Sequence, residues 1–111
     1  MAAMDHLSPY QFKTFTDYPE RNQIRAYHGD TGEEVGHFHW ANEPHVSAAG
    51  MPRQTGEITH VGVDKGHQRQ GLARHMYSMA QQVGPPPLHS RDLDPDGVKF
   101  AHGVGGAWVA Q

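Results

Sequence analysis

The sequence contains no cysteine, so a disulfide framework, a thiolate metal site and a cysteine nucleophile are all excluded. It has no run of about 18 apolar residues, the length a membrane-spanning helix needs. The opening MAAMDHLSPY carries neither the basic nor the apolar block of a signal peptide. The expectation is a cytoplasmic protein with no membrane partner. Strong charge is missing too. Nine Lys and Arg against twelve Asp and Glu leave a formal charge of −3, which argues against general nucleic-acid binding. Aliphatic residues are scarce: Ile, Leu, Val and Phe total 18 of 111, under the roughly 20% that warns of disorder. Disorder of that kind also needs a high net charge, and two Trp, four Tyr and five Met supply further core material. The balance predicts one small globular domain over residues 1–111, with a loose lead-in at 1–9 and a tail at 107–111. Its core is thin enough for a ligand, a homodimer or a larger assembly to add needed stability.

Glycine (13), histidine (10) and proline (8) are plentiful instead, and they punctuate the chain. Tyr10–Thr16 alternates as a strand does, and Asp17–Asn22 reads as a turn. Gln23–His28 and Glu34–Ala41 are strands joined by the hairpin loop Gly29–Gly32. In the second of them Gly36, Phe38 and Trp40 share one face, while Val35, His37, His39 and Ala41 share the other. Phe38 and Trp40 are expected to pack under a helix. Asn42–Gly56 lacks periodicity and reads as a long connection. Glu57–Val63 is a fourth strand. From Leu72, the residues Met76, Met79, Ala80 and Val83 form one helical stripe, stopped by Gly84-Pro85-Pro86-Pro87. Leu88-His89-Ser90 suggests a short strand. Asp94 and Pro95 fit the N-cap and first position of a second helix, with Val98, Ala101 and Val104 inward and Gly105-Gly106 as its end. The order β-β-β-β-α-β-α predicts a mixed, mostly antiparallel sheet with helices packed on it, an α/β (α+β) fold.

Between the fourth strand and the first helix stands HQRQGLARHMYSMAQQ (67–82). A helix N-terminus presents unpaired backbone N–H groups and a partial positive charge, which suit a phosphate. Gly71 removes the side chain where backbone would approach a ligand, and Arg69 and Arg74 add cationic arms. Tight helix packing with solubilising arginines accounts for the same letters.

Gln68-Arg69-Gln70-Gly71-Leu72-Ala73 resembles the Q/R-x-x-G-x-G/A signature of the GCN5-related N-acetyltransferase (GNAT) superfamily. It follows a strand of the type V-x-V (Val61-Gly62-Val63), as in that family, and three antiparallel strands precede it. The likeness covers about residues 23–106 and is specific over 57–83. The segment from Leu88 to Gly106 looks like the C-terminal part of small GNAT-like proteins of actinobacteria and their phages, and the Gly-, Pro- and His-rich, Lys- and Ile-poor composition resembles that of proteins from such GC-rich genomes. The resemblance implies acetyl-CoA as co-substrate, an amine acceptor (small molecule or protein) and no metal. It implies that Val61 and Val63 bond the pantetheine arm through their backbone. Gln68, Arg69, Gln70, Gly71, Leu72, Ala73 and Arg74 would hold the pyrophosphate.

The chain also departs from the family. The pair of helices usual between the first two strands has no room between Tyr10 and Gln23, and the last helix offers Lys99, Phe100 and His102 where a thiol-protonating Tyr is common. A truncated GNAT-like fold is expected. Glu57 is the first candidate general base, and His89 and Ser90 follow. A solvated strand end and a half-buried histidine are the plainer readings of Glu57 and His89, and Tyr77 reads as core. His37-x-His39 could chelate a metal only with further ligands, for which His28 and His60 are nearest. His67 and His75 read as surface or capping residues. Two functions follow: an N-acyltransferase acting on an amine, or a non-catalytic GNAT-like module that binds CoA or serves an assembly.

Overall fold

The computed structural model describes residues 9–16, 19–68, 70–91 and 93–109. Strands β1 (Tyr10–Phe15), β2 (Arg21–His28) and β3 (Glu34–Ala41) pair antiparallel in chain order. Two short strands, β4 (His45–Val46) and β5 (Pro52–Arg53), form a separate hairpin. Strand β6 (Ile58–Val63) returns to β3, so the sheet order is β1-β2-β3-β6. Helix α1 (Leu72–Ala80) follows a 3-10 turn at Lys65–His67, and α2 (Pro95–Val104) comes last. A mostly antiparallel sheet with two helices is the α+β arrangement the sequence predicts, and among the described residues no helix is long and apolar enough to cross a membrane.

Alternation decides which sheet face is covered. Ile24, Ala26, Phe38 and Trp40 are fully buried and meet Leu72, Met76, Tyr77 and Ala80 of α1. Each large apolar side chain buried this way contributes about 1.5–3 kcal/mol. Trp40 also satisfies its indole N–H, which donates to the Pro85 carbonyl at 3.0 Å. The proline run after α1 is thereby tied to the sheet.

On the opposite face β3 places His37 and His39 beside His60 of β6, with neighbouring rings 5.4 and 5.3 Å apart. Burial, then His60, His37 and the guanidinium groups of Arg21 and Arg25, lowers the His39 pKa to about 4. His60 is lowered as well, by burial first and then by His37, Arg53 and Arg21. These rings meet tilted or edge-on, and among the described residues no group of three His, Asp or Glu side chains is arranged to hold a metal.

Several expected boundaries move. Arg21 and Asn22 belong to β2, because they pair with Ala41 and Trp40, so the turn is shorter than 17–22. The connection 42–56 folds back on itself as the β4–β5 hairpin. Helix α1 stops at Ala80, and the stripe residue Val83 lies in the turn beyond it. Residues 88–90 make two single bridges instead of a strand. Val98 does not face inward: it is 38% exposed, because α2 turns Phe100 and Ala101 towards Tyr77 and the core. Of the lead-in and tail, residues 1–8, 110 and 111 lie outside the described residues.

Candidate functional site

The site begins at an edge. Strand β6 pairs with β3 on one side, and among the described residues the bridge on its other side is at its start, where Glu57 meets Leu88 in parallel. Ile58 N–H donates to the Leu88 carbonyl (2.8 Å), and Leu88 N–H to the Gly56 carbonyl (2.7 Å). Gly56 has φ +86°, and the Pro86 carbonyl sits where a Cβ would be, so this close approach requires glycine. One residue later the partner changes. His89 bridges Trp108, giving its carbonyl to Val109 N–H and its N–H to the Ala107 carbonyl, both at 2.9 Å. The two segments therefore touch at one point and part.

Their divergence opens a cleft of about 870 Å³, walled by β6, the start of α1, His89 and Ser90, and the Asp94–Phe100 region of α2. Asp64 N–H donates to the Val35 carbonyl. By the period-two alternation of an antiparallel pair, His60 and Gly62 also address β3, and the backbone groups of Val61 and Val63 address the cleft. The Gln68 side-chain amide crosses 3.1 Å to the Val63 carbonyl and fixes the loop to the strand.

At the cleft's end, Gly71 is the N-cap of α1 at φ +81°, with no side chain capping the helix and no acidic residue in its first turn. Gly71, Leu72, Ala73 and Arg74 all line the cleft. The first-turn N–H groups and the positive end of the helix dipole are thus turned on this space. Arg74 reaches back from the first turn and donates to the Gly103 carbonyl at 3.0 Å, near the C-terminal end of α2. Gln70 is half-buried beside the turn, and Arg69 lies outside the described residues.

Glu57 and Ser90 meet where the segments part. The Ser90 hydroxyl donates to Glu57 Oε2 at 2.8 Å, Arg53 Nη1 to the same oxygen at 3.0 Å, and Gln54 N–H to Oε1 at 2.9 Å. Glu57 is 5% exposed, so it is no solvated strand end. Burial raises its pKa, but the Gln54, Ser90 and Arg53 donors together outweigh it and hold the carboxyl below its ordinary range. His89 is equally buried but points away from this pair. Its Nε2 donates to the Gly105 carbonyl at 2.6 Å, and its ring stacks on Tyr77 at 5.3 Å. Tyr77 is 5% exposed in the core, as its position on the helix suggests.

Arg53 is the residue the sequence reading missed. It lies in the stretch 42–56, where no periodicity marks it, and its one signal is the charge of Glu57 four positions on. His67, far from this pair, accepts or shares a proton with Tyr10 Oη at 2.9 Å, and His75 packs on Phe12 at 4.5 Å.

The profile of the family described as acetyltransferase (GNAT) domain matches residues 3–84. The chain belongs to the GNAT superfamily. No curated protein and no solved structure matches it significantly. The match ends before Leu88, so the closing wall of the cleft in this GNAT domain, residues 88–109, is described by the structure alone. Between β1 and β2 only residues 16–20 intervene, and no helix pair of the usual GNAT kind fits there.

Proposed function

We propose that the cleft binds acetyl-CoA and that the protein transfers the acetyl group to an amine. The observation that carries this reading is the uncapped α1 N-terminus at Gly71, facing the same cleft as the edge backbone of Val61 and Val63. Backbone donors of Gly71, Leu72, Ala73 and Arg74 suit the pyrophosphate, Gln68 and Gln70 shape the turn before them, and Arg69 is assigned to the pyrophosphate on the signature alone. Val61 and Val63 suit the two amides of the pantetheine arm. The thioester then falls near the parting of β6 from residues 88–90, beside Glu57 and Ser90.

There the amine must lose a proton before its lone pair can attack. Glu57, ionised at neutral pH, takes that proton transiently and passes it to solvent, and Ser90 orients the carboxylate. The nitrogen forms a bond to the thioester carbonyl carbon, a strand N–H steadies the oxyanion, and collapse breaks the C–S bond. The thiolate leaves with the electron pair and picks up a proton, while the amide nitrogen gives up its second to solvent. His89 supports the site through packing, with its ring on Tyr77 and its Nε2 held by the Gly105 carbonyl.

A second reading is supported by the same carboxylate. Three donors already occupy Glu57, as in a purely structural ion pair, and this suits a CoA-binding or assembly module without turnover. Calorimetry with acetyl-CoA comes first: micromolar binding is expected, and no binding at millimolar ligand would end the transferase and CoA-binding readings and leave only the assembly module. Thiol release with a mixed amine library then separates them. Turnover lost in Glu57→Gln supports the enzyme, and full activity in that variant would remove Glu57 as base.

A further inference from the structure

A second, smaller hollow of about 210 Å³ lies beside the point where β6 and residues 88–90 part, and it shares Arg53 and Ser90 with the large cleft. Its walls combine apolar surface from Met51, Pro52 and Val109 with the charged groups of Arg53, Arg91 and Glu57. Charge of both signs in so small a space calls for a ligand of both signs.

Arg53 is the informative member. Its side chain is 14% exposed and its Nη1 is held by Glu57 at 3.0 Å, yet its Nε is buried without a hydrogen-bond partner. A guanidinium presents donors in a planar fork that matches a carboxylate, and leaving one of them buried and unmet costs about 1–3 kcal/mol. Arg91 stands exposed at the rim as a second cation. On Glu57, three donors fill three of the roughly four acceptor positions of a carboxylate. One remains for an ammonium.

We propose that the small hollow binds the acceptor and that the acceptor is an apolar α-amino acid, its carboxylate on the Arg53 guanidinium and Arg91 and its ammonium on Glu57. The assignment rests on the acetyl-transfer reading for its place in a reaction, though not for the binding itself. The ammonium is held at the carboxylate that takes its proton, and Arg53 and Ser90 line both the hollow and the cleft. The transfer is the one written above, with the α-nitrogen as the attacking atom and an N-acetyl amino acid as product.

The test is an NMR titration of the full chain with leucine, methionine and valine, each compared with its carboxamide and with the amine lacking the carboxylate. It is run alone and with CoA added. At least one amino acid is expected to bind, at least about tenfold more tightly than its carboxamide. Arg53→Lys keeps a cation for Glu57 and removes the planar fork, and it should lose that preference. Arg91→Gln, at an exposed position, should weaken it several-fold without touching the fold. No binding by any of the three, or carboxamides binding equally well, would overturn the proposal. So would an Arg53→Lys protein with slower turnover and unchanged amino-acid affinity, since the guanidinium would then serve the thioester. Failure of acetyl-CoA to bind while amino acids still bind would remove the transferase reading and leave this site standing.

Discussion

The two helices of this protein begin in opposite ways. At α2, Asp94 caps the helix, its carboxylate accepting from Gly97 N–H at 2.7 Å, and Pro95 occupies the first turn, where no N–H is needed. At α1, a left-handed glycine stands in the cap position, no side chain answers the N–H groups, and no acid lies in the first turn. Both ends border the same cleft. The difference teaches where an anion belongs: α2 carries its own, and α1 is left needing one. Exposure to bulk water satisfies such groups in many surface helices, but here four consecutive residues line a walled space beside an unpaired strand edge.

The comparison breaks most sharply if the cap of α2 is given to α1. Gly71→Asp places a carboxylate where a phosphate is proposed, and acetyl-CoA affinity should fall about 100-fold, roughly 2.7 kcal/mol. Thermal stability should fall by no more than the roughly 1–2 kcal/mol that a side chain costs at this left-handed position. A variant that binds normally would make the α1 N-terminus an ordinary solvated helix end.

Acid separates the cleft from the far side of the sheet. His39 has a folded pKa of about 4, below its unfolded value near 6.5, so the unfolded chain binds the extra proton between these values. Its contribution is complete above about pH 6.5 and is lost as the pH falls towards 4. Allowing for solvent screening on that open face, the loss is about 1–2 kcal/mol. Denaturant midpoints measured from pH 7.5 to 4.5 should fall, and His39→Gln should flatten the decline. An unchanged slope in that variant would assign the acid sensitivity to other groups.

The smallest effect comes from removing the cap that α2 does have. Asp94→Ala should cost about 1 kcal/mol of stability, visible in a denaturant midpoint, with acetyl-CoA affinity held within about twofold. A large loss of affinity would mean that the α2 terminus belongs to the ligand site after all.

Much of this was legible in the residues. The β3 alternation placed Phe38 and Trp40 in the core, though Val35 and Ala41 on the other face are buried as well; the α1 stripe named its core contacts, and Asp94-Pro95 with Gly105 marked both ends of α2, because each signal is local. The spacing from Val61 to Ala73 carried the family, which the profile match then showed. What stayed hidden was set by distant partners. Val98 fits a helical stripe, yet the aromatic contacts of Phe100 with Tyr77 and His89 rotate α2 away from it. Leu88-His89-Ser90 resembles a strand, and its two bridges run to different neighbours, which is what opens the cleft. Arg53 left almost no trace in the sequence, because its role depends on a hairpin of two-residue strands that brings it to Glu57.

The most direct measurement is an amide-resolved NMR titration with CoA. The account predicts the largest shifts at the backbone amides of Leu72, Ala73 and Arg74, with Val61 and Val63 moving at the same ligand concentration. Shifts centred on Asp96–Val98 at the start of α2, or scattered with no response at Leu72–Arg74, would contradict it.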